Sequence, residues 1–219
     1  MTVRAVLLDW GHTLFDTVGS VEFIVDYSAQ LGPSMSSEVA YELWEAARVR
    51  SRSAAELAKG RDLSSEVHRK CWTDLWVDLE ARCPGIGDPL YAFETGPLGW
   101  SPYVDTRGFL EALRDLEIPA VIVSDVPFDL RPILAHYDLE HLIHTFVLSG
   151  EHGTIKPQLK LFQIALDAVG VSAGEALMVG DNHVNDGAAI DVGIRALLLA
   201  QVAHGQPRGL SAALQLLAS

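Results

Sequence analysis

Four polar residues stand where apolar runs stop. Asp9 ends the run Val3 to Leu8, Ser124 follows Ala120 to Val123, and Asp181 follows Ala176 to Val179 and one glycine. Lys156 lies in the loop Gly150 to Pro157, downstream of a further run, Thr145 to Leu148. Two carboxylates suit a hard, oxygen-loving cation such as Mg²⁺, and a hydroxyl with an ammonium suits the oxygens of a phosphoryl group. Taken singly, Asp9, Ser124 or Asp181 would more often be a strand-end turn residue or a helix cap. Only their common placement argues for a phosphoryl-transfer site.

Such convergence needs strands that finish at one edge. Val3 to Leu8 is continuously apolar and too short for a helix, as expected of a strand covered on both faces of a parallel sheet. From Val18 to Ala81 the period becomes helical, with Val21, Ile24, Val25 and Leu31 and later Cys71, Trp72, Leu75, Trp76 and Leu79 on the apolar spacing. Strand signals are absent there. Gly32-Pro33 and the run Pro84 to Pro89 punctuate this block, and Gly96-Pro97 with Gly99 and Pro102 closes it. Beyond Asp105 the chain alternates. Helices are expected around Phe109 to Leu116, Ile133 to Tyr137, Leu161 to Val169 and Asp186 to Val192, and strands at Ala120 to Val123, Thr145 to Leu148, Ala176 to Val179 and Arg195 to Leu199. A closing amphipathic helix takes in Leu210, Ala213, Leu214 and Leu217. The pattern predicts an α/β fold: right-handed βαβ units in a Rossmann-like parallel sheet, residues 1–16 and 100–219, with an inserted α-helical unit at 17–99. Ligands of such sheets bind beyond the carboxyl ends of the strands, where the four polar residues stand.

Composition narrows the partners. The chain has 219 residues, 49% hydrophobic and 21% charged, with no apolar run approaching the roughly 18 residues of a membrane span. The apolar stretch at the N-terminus stops at Asp9 with no small-residue cleavage site, and reads as a strand rather than an export signal. Sixteen Lys and Arg against twenty-nine Asp and Glu leave a net charge of −13, which opposes a general grip on nucleic acid or an anionic membrane. A small anionic substrate needs only a local positive site. Cys71 and Cys83 are too far apart for a CxxC pair, and a reducing cytoplasm is the expected setting.

The segments Asp9 to Asp16, Val121 to Asp125, Lys156-Pro157 and Gly180 to Asp186 resemble, in order and spacing, the four motifs of the haloacid dehalogenase-like hydrolase superfamily, whose helical cap is inserted directly after the first motif. The resemblance spans nearly the whole chain. It implies that Asp9 is a nucleophile that becomes phosphorylated, that Ser124, Asp125 and Lys156 form the substrate-binding positions, and that Asp9, Asp181 and the backbone carbonyl of Gly11 hold Mg²⁺. Asp186 and Thr13 would support them. The implied partner is a small phosphorylated metabolite, handled by a monomer or homodimer.

One departure from the pattern bears directly on the chemistry. Phosphatases of the superfamily usually carry a second Asp two residues after the nucleophile, as general acid and base, and this chain has Gly11. Such catalysis is worth roughly 10²–10⁴-fold, so its loss slows turnover without removing positioning or electrostatic stabilisation. Acyl and aryl phosphates, whose leaving groups need little protonation, should suffer least. His12, where the family normally has Gly, is either a replacement for the missing carboxylate or a side chain turned away from the cleft. His183 is expected to be a loop residue, since Mg²⁺ prefers oxygen. Trp44, Trp72 and Trp76 read as core of the cap, and Arg48, Arg50, Arg52 and Arg61 as a solvated helix face rather than the alternative, a set that meets an anionic substrate from the cap. Beside the phosphatase stand a binding or regulatory pseudoenzyme, a metal-independent 2-haloacid dehalogenase and a phosphomutase.

Overall fold

A computed structural model describes residues 2–32, 34–203 and 205–217; Met1 and Pro33, which belong to two segments discussed above, lie outside the described residues. The short apolar runs form a five-stranded, all-parallel sheet. Its strands are β1 (Ala5–Leu8), β4 (Ala120–Ser124), β5 (Thr145–Leu148), β6 (Ala176–Gly180) and β7 (Arg195–Leu198), in the order β5-β4-β1-β6-β7. A second, two-stranded sheet pairs β2 (Phe15–Thr17) with β3 (Trp100–Pro102) antiparallel.

Alternate side chains of the parallel strands feed two separate cores, as a period of two requires. Val6, Leu8, Ile122 and Val179 pack with helices Thr106–Asp115, Arg131–His136 and Ser211–Leu217. Leu7, Val121, Val123 and Met178 pack with helix Leu159–Val169 and the 3₁₀ turn Gly187–Val192. Both faces are covered, so the strands read as unbroken apolar runs rather than alternating ones.

The central strand decides where the site lies. β1 pairs with β4 on one side and β6 on the other, with Leu8 opposite Ile122 and Val179. The chain first builds outward through β4 and β5, then returns to build β6 and β7 on the opposite side. A crevice opens at such a switch point, beyond the strand ends, where Asp9, Ser124 and Asp181 stand.

Between β2 and β3 the chain is helical, chiefly in Ser20–Leu31, Ser37–Ser51, Ser65–Leu75, Val77–Arg82 and Gly87–Glu94. Ser36 and Ser64 each cap the helix that follows, accepting from the backbone N–H of Val39 and Val67. These helices bury an apolar cluster of their own that includes Ile24, Ala47, Trp76, Leu79, Ile86 and Leu90. Cys71 and Cys83 are buried, free thiols. The two ends of the segment meet: the N–H of Val18 donates to the carbonyl of Gly99 at 2.9 Å.

Three details depart from expectation. β2 and β3 are three residues each, too short for a period to register in sequence. Leu31 is exposed because its helix ends there, at Gly32. The turn expected at Asp186 to Val192 is 3₁₀ rather than α and begins one residue later. Among the described residues no helix is long and apolar enough to cross a membrane.

Candidate active site

Asp9 leaves β1 with its N–H bonded to the carbonyl of Val179 at 2.9 Å, which ties the first residue of the turn to the neighbouring strand. The chain then folds back sharply. The carbonyl of Trp10 accepts from the N–H groups of Thr13, Leu14 and Phe15, and the N–H of His12 donates to Phe15 at 2.7 Å. His12 has φ 57°, the left-handed region glycine occupies without strain. Thr13 is buried beneath the turn with its hydroxyl 3.4 Å from Asp9 Oδ2.

Lys156 is the hub of the site. Its ammonium donates to Asp9 Oδ1 at 2.7 Å and to Asp186 Oδ1 at 2.6 Å. Its backbone N–H donates to Asp125 Oδ1 at 2.8 Å, and Asp125 Oδ2 accepts from Asn185 at 3.2 Å, so Asp125 fixes the base of the lysine. Asp186 is fully buried and its second oxygen accepts from the backbone N–H groups of Asp181 and Asn182 at 3.0 and 2.9 Å. Gly180 is required for this packing. A Cβ there would sit 2.2 Å from the Asp186 carboxylate.

One carboxylate oxygen each from Asp9, Asp181 and Asp186 lies within 4.8 Å of the others. Burial pushes the Asp9 carboxyl up to about 7 against the pull of Lys156, with Asp186 and Asp181 adding to the rise. Asp181 and Asp125 are raised for the same first cause. Burial alone would lower the Lys156 ammonium, but Asp9, Asp186 and Asp125 together hold it above the ordinary lysine value. Among the described residues Lys156 is the one ammonium set beside the four carboxylates Asp9, Asp125, Asp181 and Asp186, bonding to Asp9 and Asp186 through Nζ and to Asp125 through its backbone N–H.

That imbalance and the donor set fit a divalent cation. Asp186 is saturated by Lys156 and two backbone N–H groups, and Gln201 reaches one oxygen of Asp181 at 3.1 Å. Asp9 Oδ2, which among the described residues has only the long Thr13 contact, and Asp181 Oδ1 remain as hard oxygen donors. Asp9, Gly11, Ser124, Lys156 and Asp181 all line one cavity of about 190 Å³.

A second cavity of about 360 Å³ shares Gly11, Trp100, Asp125 and Val126 with the first and extends under the helical segment. Arg48, Arg52 and Arg61, expected on a solvated face, line this cavity instead. Trp76 is core of the helical segment and Trp44 and Trp72 pack against that core, as expected, and all three also border the cavity. Arg50 does not, being paired with Asp78. His12 is on the cavity wall, with Nδ1 3.2 Å from Asp16. His183 is exposed.

Two further residues went unseen. Arg208 is buried, and its guanidinium donates to the carbonyls of His12, Ala200 and Leu199. His68 is buried on the cavity wall between Trp72 and Tyr91, and its four-residue spacing from Trp72 on one helix was the available signal. Burial, with Arg61 adding, lowers the His68 imidazole to about 4. Asp62 lies 4.0 Å from Nε2, but Arg61 holds that carboxylate and the Trp72 N–H occupies the nitrogen at 3.0 Å. The folded state therefore resists a proton that the unfolded chain accepts near pH 6.5, so stability falls as pH drops from about 6.5 to 4, by about 3 kcal/mol. Thermal melts should show wild type losing ground to His68→Gln across that window. Parallel pH dependence of the two would contradict it.

Compared with known proteins, residues 3–193 match the family model for haloacid dehalogenase-like hydrolase. The haloacid dehalogenase-like hydrolase domain-containing protein 3 of Danio rerio is 30% identical over 213 residues, 90% of this chain and 85% of that one. A phosphoserine phosphatase of Thermus thermophilus is 40% identical over 98 residues, 43% of this chain and 39% of that one. The fold is shared with a HAD phosphatase from Thermococcus onnurineus (TM-score 0.66, 23% identity, 98% of both chains). It is shared equally with a 2-haloacid dehalogenase from Pseudomonas syringae (TM-score 0.65, 21% identity, 99% of this chain and 98% of that one).

Proposed function

The chain belongs to the haloacid dehalogenase-like hydrolases, and on that basis we propose that it hydrolyses a small phosphorylated metabolite through a phosphoryl group carried on Asp9. The observation that carries this reading is the buried cluster in which Asp9 lies 2.7 Å from the Lys156 ammonium with Asp181 and Asp186 beside it. A metal-independent dehalogenase would have to hold buried Asp9 and Asp186, with half-buried Asp125 and Asp181 beside them, around the Lys156 ammonium alone.

A carboxylate oxygen of Asp9 bonds to phosphorus as the bond to the leaving-group oxygen breaks, and the leaving group takes the electron pair. Water then attacks phosphorus, the Asp9–phosphoryl bond breaks, and the two protons of that water end on phosphate and on the departed oxygen. Lys156 offsets charge on Asp9 and on the transferring group. Ser124, at the end of β4 on the wall of the small cavity, offers a hydroxyl to a phosphoryl oxygen. Asp186 and Asp125 hold Lys156, and Thr13 supports Asp9. Asp9, Asp181 and the carbonyl of Gly11 would hold Mg²⁺, which supplies charge neutralisation at the phosphoryl oxygens. Residues 17–99 serve as the cap over a core of 1–16 and 100–219, and the Val18–Gly99 hydrogen bond marks the base of that cap.

Phosphate release from acetyl phosphate and p-nitrophenyl phosphate should require Mg²⁺ and stop in EDTA. Asp9→Asn should lower it by roughly 10⁴-fold or more. Turnover surviving in Asp9→Asn, or chloride release from a 2-haloacid without metal, would overturn the assignment.

A further inference from the structure

Phosphoryl transfer uses the small cavity, while the 360 Å³ cavity beside it has walls with a chemistry of their own. The carboxylates on those walls are engaged. Glu94 accepts from the indole N–H of Trp44 at 2.6 Å, Asp62 pairs with Arg61 at 3.4 Å, and Asp125 holds Lys156. The groups left over are donors. An indole nitrogen can only donate, so the Trp72 N–H, 3.0 Å from His68 Nε2, makes that nitrogen the acceptor and puts the imidazole proton on Nδ1. Nδ1 lies 2.9 Å from the Tyr91 hydroxyl, whose oxygen therefore accepts and whose own hydrogen remains to be donated. Trp76, 1% exposed and on the same wall, has an indole N–H with no partner among the described residues. Arg52 lines the cavity with no ion pair among the described residues. Trp44, Trp72, Trp100 and Phe128 give the wall a large aromatic share beside Thr17, Ser51, Thr95 and Val126, and the Arg48 guanidinium lies 4.7 Å over the Trp44 ring.

We propose that this cavity selects phosphate esters whose leaving group is a flat ring carrying a carboxylate, with the Tyr91 hydroxyl as the donor that reads the carboxylate and with His68 and Trp72 as positioning residues. The proposal rests on the phosphatase reading of the neighbouring site. It also agrees with Gly11, because an aryl oxide departs with little need of a proton.

The test uses two esters, 3-(carboxymethyl)phenyl phosphate and 3-ethylphenyl phosphate, in which a methylene insulates the ring so that the leaving groups are closely matched. Wild type should show the lower KM for the acid. Tyr91→Phe should reduce the acid-over-ethyl ratio of kcat/KM by roughly ten- to a hundredfold, since a site built to hydrogen-bond a group discriminates strongly on that bond. Trp72→Phe, which frees the imidazole to change tautomer, should raise KM for the acid more than for the ethyl ester, without a matching change in the ratio of kcat values. Equal wild-type KM values overturn the proposal even if the variants fail to fold, and so does a ratio unchanged in a folded Tyr91→Phe. Asp9-dependent release from acetyl phosphate with neither aryl ester hydrolysed overturns it while leaving the phosphatase reading intact. Silence with acetyl phosphate as well overturns both.

Discussion

Gly11→Asp is expected to raise turnover of alkyl phosphates by roughly 10²–10⁴-fold, the range general acid–base catalysis supplies. The position can accept the side chain. A Cβ built on Gly11 meets only the Trp100 ring, at 3.7 and 3.8 Å, which is ordinary van der Waals contact, and its φ is not among the positive-φ glycines. Gly11 borders both cavities, so a carboxyl there would stand between the phosphoryl site and the leaving group. The gain should follow the proton demand of the leaving group: large for an alkoxide, small for acetate. Measuring kcat for an alkyl phosphate and for acetyl phosphate in both proteins separates these. Equal gains on the two would mean that the new carboxylate acts on metal or substrate binding instead. No gain at all, in a folded variant, would mean that another group already supplies the proton.

Lys156→Met is expected to cost about 3–5 kcal/mol of stability at neutral pH, because it removes one partner of a buried ionic cluster and leaves the others unpaired. Three carboxylates lean on this residue, Asp9 and Asp186 through its ammonium and Asp125 through its backbone N–H, and only the first two lose their partner. For a chain of this length the cost corresponds to roughly 10 °C in Tm. Its sign with pH is distinctive. The Asp9 carboxyl is already raised by burial to about 7, above the unfolded value, and loses the one group that pulled it down. A carboxyl raised in the folded state binds its proton there first, so acidification from pH 8 towards pH 5 should return part of the lost stability. Phosphate release should be lost throughout. A variant as stable as wild type at pH 8, or one that weakens further on mild acidification, would show that the cluster is solvated and not held by Lys156.

How much of this could be read from the sequence depends on how far each contact reaches. Asp9, Ser124 and Asp181 were legible because each ends a strand, and strand ends in a parallel sheet share an edge whatever the side chains do. The placement of Lys156 could be anticipated only to that same edge, since its distance to Asp186 is set by two loops and by the room Gly180 leaves. Arg48, Arg52 and Arg61 could not be separated from Arg50 by pattern. All four lie on or beside the helices between β2 and β3, and only the packing of those helices turns three of them into a cavity wall. β2 and β3 hold the two ends of that segment with three residues each, below the length at which a period can be seen. His68 carried a local signal in its spacing from Trp72, but its partner Tyr91 is on another helix.

Arg208 shows that family boundary and physical boundary differ. The likeness to the family runs from residue 3 to residue 193, yet the turn that presents Asp9 is gripped from outside that span. Its guanidinium bonds to carbonyls of His12, Ala200 and Leu199, and its backbone N–H bonds to Asp105, so the grip is indifferent to the side chains of the turn it steadies. A contact of that kind leaves no trace in any motif. The side chains at positions 11 and 12 can differ while this anchorage stays constant, because the bond runs to the carbonyl of His12 from a residue nearly two hundred positions away.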